Sequence, residues 1–328
     1  MKRAFVTGAS GFTGGYLCDA LLEKGYIVTA LVRKNSKVTH LGKKDITLVE
    51  GDLADPASVK GKIRGIDIVF HIAALYRQEG ISKDMFNKVN VEGTRVLLDE
   101  AIAGKVKRFV HCSTVGVQGE IKNPPAKEIA FYNPGDHYQV SKLEGEKLAL
   151  SYFHDKKIDG VVVRPVGIYG PGDSRFLKLF RHIYKGNFKM IGKGKALYHL
   201  TFVKDLVDGI ILSGETAEAS GQVYTLGGNE YLPLDELVKL LGEILNKSVS
   251  KIRIPLFPVY VAAFLCEIIC RPLKIEPPLY RRRLDFFTKD RVFDISKAKK
   301  DLGYSPQVSL NEGLTRTAHW YKENGLLD

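Results

Sequence analysis

A glycine-rich turn near the start of the chain limits the folds that this sequence can adopt. The apolar run Ala4-Phe5-Val6 leads directly into GASGFTG, in which Gly8, Gly11 and Gly14 stand three residues apart. Glycines between a strand and a helix allow the backbone to approach a pyrophosphate, which then lies at the helix N-terminus. The first spacing is wider than in the usual Gly-x-Gly-x-x-Gly, but the position one strand into the chain supports a dinucleotide site. Its predicted contacts are Gly8, Gly11, Phe12, Thr13 and Gly14.

Short apolar runs then alternate with stretches of helical spacing. We predict strands at 3–7, 27–32, 46–50, 67–72, 107–112 and 160–164, and helices at 13–24, 56–62, 84–103 and 138–156. This alternation predicts an α/β fold with a Rossmann-type, doubly wound parallel sheet and a smaller, mostly C-terminal substrate-binding lobe. The predicted Rossmann domain covers 1–170, with 198–231 returning to it. The predicted lobe covers 171–197 and 232–328.

The composition is that of an ordinary globular protein of 328 residues, with 45% hydrophobic and 26% charged residues. The net charge of +12 predicts either a solvated basic surface or a field that attracts phosphorylated small molecules or an anionic membrane, and we find no nucleic-acid motif. The four cysteines have neither a paired framework nor metal-ligand spacing, which favours a reducing compartment and no metal site. The first strand starts directly after Met1 and Lys2, so we expect no signal peptide and a cytoplasmic protein.

The segment 254–270 is the most apolar in the chain. It has 17 residues and contains Glu267 and two prolines, whereas a membrane-spanning helix needs about 20 apolar residues. We therefore predict no transmembrane segment. We expect a buried helix or a wall of the substrate pocket rather than a helix on a membrane surface, although peripheral membrane contact stays open.

The residue after the second predicted strand bears on which dinucleotide binds. NAD-selective sites commonly place Asp or Glu there to bind the ribose hydroxyls, whereas this chain has Arg33, which suits a 2′-phosphate. We therefore predict NADP as the preferred cofactor, with NAD as the alternative if Arg33 only stacks on the adenine. Further predicted contacts follow the third and fourth strands, at Asp52, Leu53, Ala73 and Ala74.

Tyr138 and Lys142 stand four residues apart in HYQVSKLEGEKLAL, a stretch with helical spacing. Such residues share one face of a helix. A phenol has an unperturbed pKa of about 10, which a nearby ammonium and an oxidised nicotinamide lower. Tyr138 then exchanges a proton with the substrate oxygen as hydride moves, while Lys142 also reaches the ribose hydroxyls of the cofactor. Behind a glycine turn, the pair predicts a redox active site.

Taken together, these features resemble the extended short-chain dehydrogenase/reductase family, which includes nucleotide-sugar epimerases, dehydratases and reductases. The resemblance covers nearly the whole chain. It rests on VTGASGFTG, GDLAD, HIAA, NVEGTRVLLDEA, HCSTVGVQG, the Tyr-x-x-x-Lys pair, VVVRPVGIYGPGD, HLTFVKDLVDGIIL and FDISKAKKDLGYSP. These motifs are specific for the family and much less so for the substrate.

The resemblance implies further site residues. It puts the catalytic Ser/Thr of the family on Thr114, with Ser113 as the alternative. It puts Asn90 at the active-site end of the sheet, among the residues around the cofactor. It also implies that the backbone from Pro165 to Ile168 orients the nicotinamide carboxamide.

The resemblance also bears on the reaction and on the assembly. Sugar 4,6-dehydratases carry Asp-Glu directly after the catalytic threonine, whereas Val115 and Gly116 follow Thr114 here. This departure disfavours dehydration and leaves oxidation–reduction, or epimerisation by transient oxidation. Family members often pair through the helices predicted here at 84–103 and 138–156, so we expect a homodimer.

Three functions stay open at this point. The preferred one is a nucleotide-sugar epimerase or reductase. Cations for a diphosphate are available at Lys193, Lys195, Arg281, Arg283 and Arg291. The alternative is a 3β-hydroxysteroid or sterol dehydrogenase, a branch that often carries an apolar segment before the C-terminal LGY motif, as at 254–270. The third is a non-catalytic NADP-binding regulatory protein, which the intact Thr–Tyr–Lys set disfavours.

Overall fold

The computed structural model describes residues 1–42, 44–76, 80–270, 272, 275 and 277–328. The strands are β1 Arg3–Thr7, β2 Ile27–Val32, β3 Ile46–Glu50, β4 Ile68–His71, β5 Arg108–Cys112, β6 Gly160–Pro165, β7 Gly167–Tyr169, β8 Met190–Ile191, β9 Leu197–Phe202, β10 Val223–Leu226, β11 Tyr231–Pro233 and β12 Arg253–Ile254. The α-helices are α1 Phe12–Glu23, α2 Pro56–Val59, α3 Lys83–Asn87, α4 Gly93–Ala103, α5 His137–His154, α6 Leu177–Tyr184, α7 Val203–Glu215, α8 Leu234–Leu245, α9 Leu256–Cys270, α10 Arg281–Thr288, α11 Ser296–Leu302 and α12 Leu310–Glu323. A π-helical turn spans Lys88–Glu92, and 3-10 turns span Val115–Gln118 and Ala217–Ala219.

Seven strands form one parallel sheet in the order β10-β6-β5-β4-β1-β2-β3. Chain order reverses between β1 and β4, which are hydrogen-bonded neighbours. In open α/β sheets a crevice for ligands forms at such a point, beyond the carboxyl ends of the strands. The predicted Rossmann-type, doubly wound fold is confirmed.

Helices cover both faces of this sheet because successive strand residues point to opposite sides. Ala4 and Val6 of β1 pack in one core with α1 and α7, whereas Phe5 packs in another with α4 and α5. The near-continuous apolar runs of the strands follow from this burial on two sides.

A further core lies outside the main sheet. It joins α6, α8 and α12 to β9, through residues such as Phe180, Leu237, Leu314 and Leu200. Strand β9 pairs with β7 and β11 in a small separate sheet, while β10 belongs to the seven-stranded one. The assignment of 171–197 and 232–328 to a substrate-binding lobe stays a prediction.

One predicted helix is wrong in detail. The sequence predicts a single helix over 84–103, but the structure divides it into α3, the π-helical turn at Lys88–Glu92 and α4. The wider turn directs Asn90 inward, where its side chain is buried. Single π-helical turns within helices are frequent at functional sites.

The expectation that the segment 254–270 is a buried helix is also wrong, whereas its role as a wall of the substrate pocket stays a prediction. It forms α9, but only Ala263 and Glu267 of this helix are buried. Its solvent-facing side, the outer face of α9, carries seven large hydrophobic residues, each 37% to 77% exposed: Phe257, Tyr260, Val261, Phe264, Leu265, Ile268 and Ile269. The guanidinium of Arg281 lies over the rings of Tyr260 and Phe264, at 5.8 and 4.9 Å from their centroids. Within the described residues, no helix combines the length and the hydropathy that a bilayer-crossing segment needs.

Candidate functional site

The glycine turn lies at the point where the strand order reverses. Gly8 has a φ of +77°, and a Cβ there would lie 2.8 Å from the amide nitrogen of Ala73 after β4. A Cβ on Gly14 would collide with the carbonyl of Gly8. Only glycine therefore lets the end of β1, the start of α1 and the end of β4 approach so closely.

The first turn of α1 fits a pyrophosphate. Gly11 is the N-cap residue and has no side chain to cap the amides that follow it, so the first amides of the helix, those of Phe12 and Thr13, receive no side-chain cap from it. Helix N-termini of this kind bind phosphate through these amides and the helix dipole. The residues present thus fit a dinucleotide.

Arg33 follows β2 at the same carboxyl edge of the sheet, and its side chain is exposed. Its amide donates to Oγ of Ser36 over 3.2 Å, and the amide of Ser36 donates back to its carbonyl over 2.9 Å. This tight turn holds the start of the Arg33 side chain beside the predicted adenosine end of the site.

The other predicted cofactor contacts follow β3 and β4. Asp52 accepts the amide of Ala54 through Oδ1 over 2.9 Å, and Leu53 is buried beneath this turn. Ala73 is partly exposed and Ala74 is exposed, so neither side chain fills the crevice. All four lie at the carboxyl edge of the sheet, where they were expected.

Helix α5 carries Tyr138 and Lys142 beside the end of β5. Asp136 caps this helix by accepting the amide of Gln139 over 2.6 Å. Lys142 is only 2% exposed, and its Nζ donates to the carbonyl of Cys112 over 2.6 Å. Burial lowers the pKa of Lys142, while Cys112 and Glu146 oppose that shift.

Tyr138 lies one helical turn before Lys142 and is half-buried. Its ring packs edge-on against Tyr76, with centroids 5.1 Å apart, and against Phe86 at 6.4 Å. These contacts limit the directions in which the phenol can point. The structure thus brings the predicted Tyr–Lys pair to the carboxyl edge of β5.

Thr114 and Ser113 have different environments. Ser113 is buried and donates to Oε2 of Glu146 over 2.5 Å. Thr114 is half-exposed, and its Oγ1 accepts the amide of Gly116 over 3.1 Å, which leaves the hydroxyl proton directed elsewhere. The predicted contact of Ser113 with substrate is therefore not supported, because its hydroxyl serves a buried carboxylate.

A buried ion pair beneath this site was missed by the sequence reasoning. Glu146 of α5 and Arg164 of β6 are 0% and 1% exposed in their side chains and are joined by Nη2–Oε1 at 2.5 Å. Tyr132 donates to Glu146 over 3.1 Å and accepts from Arg164 over 3.0 Å. Glu146 follows Lys142 by four residues, so helical spacing was the available signal.

Asn90 joins two of these segments. Its Oδ1 accepts the amide of Leu75 over 2.8 Å, and its Nδ2 donates to the carbonyl of Leu75 over 3.1 Å and to Oγ of Ser141 over 2.9 Å. Its amide group is thus engaged within the protein. This geometry favours a role for Asn90 in holding the loop after β4 against α5 over a direct contact with the cofactor.

Pro165 ends β6, and Ile168 lies in β7 just beyond it. The amide of Val166 between them donates to the carbonyl of Leu226 over 3.0 Å, and the carbonyl of Ile168 accepts from Arg175 over 2.9 Å. The backbone predicted to face the nicotinamide is therefore fixed from both sides at the carboxyl edge of the sheet.

The predicted substrate cations are dispersed. Arg281 forms an ion pair with Glu267, at 2.9 Å from Nη2 to Oε2, and Arg283 donates to the carbonyl of Pro278 over 2.8 Å. Lys193 is exposed. The predicted role of Arg281 in binding a diphosphate is not supported, because a carboxylate already neutralises it. Within the described part of the chain, no cluster of His, Cys, Asp or Glu has the arrangement of a metal site.

A glycine turn at the reversal of a parallel sheet, with a Tyr–Lys helix beside it, defines a dinucleotide-dependent enzyme of Rossmann fold. The chain belongs to the NAD-dependent epimerase/dehydratase family, whose family model matches residues 4–227. The resemblance to extended short-chain dehydrogenases/reductases is thereby confirmed.

Individual relatives differ in their substrates. The chain is 31% identical to a 2-alkyl-3-oxoalkanoate reductase from Stenotrophomonas maltophilia, covering 96% of this chain and 98% of the relative. It is 30% identical to the decarboxylating sterol-4-alpha-carboxylate 3-dehydrogenase from Mus musculus, covering 96% and 90%. A solved structure of UDP-glucuronic acid 4-epimerase from Bacillus cereus in complex with NAD is also similar, with a TM-score of 0.78, 26% identity and coverage of 98% and 99%.

Proposed function

We propose that this protein is an NADP-preferring dehydrogenase or reductase that interconverts a secondary alcohol and a ketone on a large apolar substrate. The observation that carries the reaction class is the buried Lys142, whose Nζ lies 2.6 Å from the carbonyl of Cys112. This contact places the cation one turn from Tyr138 and beside the end of β5, where Thr114 follows. An acid–base group, its activating cation and a hydroxyl donor are thus grouped at the predicted nicotinamide end of the crevice.

Each of these residues has a separate role in the proposed reaction. The bound dinucleotide supplies a carbon that accepts or donates hydride. Tyr138 gives or takes the proton at the substrate oxygen, and Lys142 favours its phenolate form by charge. Thr114 donates a hydrogen bond to the same oxygen and so holds the reacting carbon in place.

The cofactor preference follows from Arg33. The amides at the start of α1 would hold the pyrophosphate, and the exposed guanidinium after β2 would pair with a 2′-phosphate. We expect NADP to bind at least about tenfold more tightly than NAD, and Arg33→Ala to remove most of this difference. Calorimetric titration of both dinucleotides measures it, and equal or tighter binding of NAD to the natural chain would refute the preference.

The sequence favours a nucleotide sugar over a sterol as the substrate, whereas we propose an apolar substrate. Arg281 and Lys195 pair with Glu267 and Asp235, and Arg291 donates to Tyr198 and to a backbone carbonyl. Two of the five candidate cations are therefore neutralised by carboxylates, which weakens the case for a diphosphate. The two relatives at 30% and 31% identity are named for a sterol carboxylate and a branched oxoalkanoate. Both names describe an oxygen-bearing carbon next to a carbon that carries a carboxylate, on an apolar skeleton.

Ligand-induced stabilisation distinguishes an apolar substrate from a nucleotide sugar. With NADP present, we expect sterols or 2-alkyl-3-oxoalkanoates to raise the melting temperature, whereas UDP, GDP and dTDP leave it unchanged, because stabilisation grows with ligand concentration over the dissociation constant. Net consumption of NADPH or NADP with the stabilising compound then identifies a reductase or dehydrogenase. Stabilisation by a nucleoside diphosphate alone would restore the first expectation.

A nucleotide-sugar epimerase is the second candidate, favoured by the similarity to the solved UDP-glucuronic acid 4-epimerase. It predicts turnover without net consumption of the dinucleotide. Dehydration is disfavoured, because Val115 and Gly116 place no carboxylates after Thr114. A non-catalytic role would not explain why Tyr138 and Lys142 lie together at the end of β5.

We also propose that the protein acts as a cytoplasmic homodimer. All four cysteines are free thiols, which suits a reducing compartment. Helices α4 and α5 pack in the same core on one face of the sheet. Pairing them with the same helices of a second copy would build a four-helix bundle.

A further inference from the structure

We propose that the outer face of α9 docks the protein on an anionic lipid bilayer, with the mouth of the active site turned toward the lipid. The face consists of seven apolar side chains, the most exposed being Phe257 at 77% and Ile269 at 62%. They recur at intervals of three and four residues, so they form one continuous surface on the helix.

The polarity of α9 is inverted relative to a helix that faces water. Glu267 is its only charged residue, yet it is 6% exposed and turned inward. Both carboxylate oxygens of Glu267 accept from Arg281 of α10, at 2.7 to 3.2 Å. The ion pair fixes the helix with its polar residue inward and its apolar residues outward, which suits a surface that leaves water.

The charge around α9 favours lipid headgroups as the occupant. Residues 251–283 contain seven Lys or Arg and two Asp or Glu, a net charge of +5. Lys251 and Arg253 precede the helix, and Arg281 to Arg283 open α10. Arg253 and Arg282 pair with Asp235 and Asp136 from outside this segment, and the net charge is still +3 when these two carboxylates are included. A membrane-surface helix combines an apolar face with basic flanks in this way, because anionic headgroups attract the basic residues while the apolar face enters the acyl boundary.

A second copy of the chain fits this surface less well. A two-fold contact through α9 would bring two segments of net charge +5 together. A 15-residue helix is about 22 Å long and offers a single convex ridge. Stable dimers bury about 800 Å² on each partner, which one such ridge does not supply without further contacts.

Contacts through α10 connect α9 to the helix that carries Tyr138. Arg282 of α10 pairs with Asp136, the residue that caps α5 two positions before Tyr138. The chain of contacts α9–α10–α5 therefore connects the apolar face to the start of the catalytic helix. On the proposed function, an apolar substrate would reach the site from the bilayer without crossing water; the docking itself does not depend on that function.

Vesicle flotation of the full-length protein tests the proposal. We expect the natural chain to float with vesicles of phosphatidylcholine and phosphatidylglycerol, and to bind pure phosphatidylcholine vesicles more weakly. Ile269→Glu should weaken binding at least about tenfold, because it places a carboxylate at the acyl boundary. Ile27→Glu is the matched control: Ile27 is 42% exposed at the amino end of β2, at the edge of the sheet opposite the active site, and it should leave flotation unchanged.

Three results would overturn the proposal. The natural chain could fail to float with either vesicle, or Ile269→Glu could float as well as the natural chain while its melting temperature shows that it is folded. The third is an assembly that does not bind vesicles and that Ile269→Glu reduces to half its mass, which would assign the face to a second copy. These three results leave the proposed redox function untouched, since Ile269 lies outside the residues proposed for catalysis.

Discussion

Lys142 shows how a single residue can serve both the fold and the proposed reaction. A lysine at 2% exposure loses hydration, and burial lowers its pKa. The carbonyl of Cys112 compensates through one short hydrogen bond, and the carboxylate of Glu146 lies one turn further along the same helix. The cation is thereby held at the end of β5, one helical turn after Tyr138.

Replacing Tyr138 by phenylalanine tests the acid–base role. We expect Tyr138→Phe to lower kcat by about 10²- to 10⁴-fold, the usual contribution of a positioned acid–base group, while the dissociation constant for NADP stays within about twofold. Single-turnover hydride transfer and calorimetry measure the two quantities. Tyr231→Phe, at a 46% exposed tyrosine of β11, is the control, and retained turnover in Tyr138→Phe would remove Tyr138 from the mechanism.

Alanine variants of Ser113 and Thr114 test which of the two hydroxyls contacts the substrate oxygen. Thr114→Ala should lower kcat, because the proposed reaction uses its hydroxyl at the substrate oxygen, and should cost stability only through the lost cap of the Val115–Gln118 turn. Ser113→Ala should instead lower the free energy of unfolding by about 1–3 kcal/mol, because a buried carboxylate loses a donor. Urea unfolding and kcat of both variants decide the assignment. A larger loss of rate in Ser113→Ala than in Thr114→Ala would show that Ser113 is the residue at the substrate oxygen.

At the scale of elements, His71 ties β4 to β1 and α4. Its Nδ1 lies 2.8 Å from Oγ1 of Thr7 and its Nε2 lies 2.9 Å from Oγ1 of Thr94. The hydroxyl of Thr94 donates to the carbonyl of Asn90, so Nε2 must donate to Thr94 and Nδ1 accepts from Thr7. Burial lowers the pKa of His71 to about 3, so the ring is neutral near pH 7 and its Nδ1 is the acceptor.

The buried histidine predicts how stability depends on pH. Below about pH 6.5 the unfolded chain takes up a proton that the folded chain refuses until about pH 3, so the free energy of unfolding falls as pH falls through this window. The slope from one such group is about 1.4 kcal/mol per pH unit. Urea unfolding across the window should show a shallower slope for His71→Asn. His319→Asn, at a side chain 70% exposed, is the control, and equal slopes for the natural chain and His71→Asn would contradict the neutral buried ring.

Several elements could be predicted from the sequence because their signals are local. The six predicted strands and the helix with Tyr138 follow from periodicity, and the glycine turn from its spacing after β1. Helical spacing puts Glu146 on the same helix face as Lys142, but its pairing with Arg164 could not be predicted, since the two residues come from different elements and meet only when α5 packs on β6. Helix α9 was assigned to the interior because its composition is apolar, but composition does not reveal which neighbours are available to cover a helix.

At the scale of the whole molecule, the proposed dimer depends on α4 and α5. Light scattering of the natural chain should give the mass of two chains, because these helices pack side by side on one face of the sheet and can form a bundle with a second pair. Ile269→Glu should keep this mass, since α9 is not part of the proposed contact. The mass of a single chain across the working concentration range would contradict the dimer.

The most direct measurement is a crystal structure with NADP bound, because it requires no knowledge of the substrate. We expect the pyrophosphate at the amides that begin α1, the 2′-phosphate near Arg33, and the nicotinamide ring facing the hydroxyl of Tyr138, with Lys142 at the ribose. A dinucleotide bound elsewhere, or a phenol of Tyr138 turned away from the nicotinamide ring, would contradict the proposed active site.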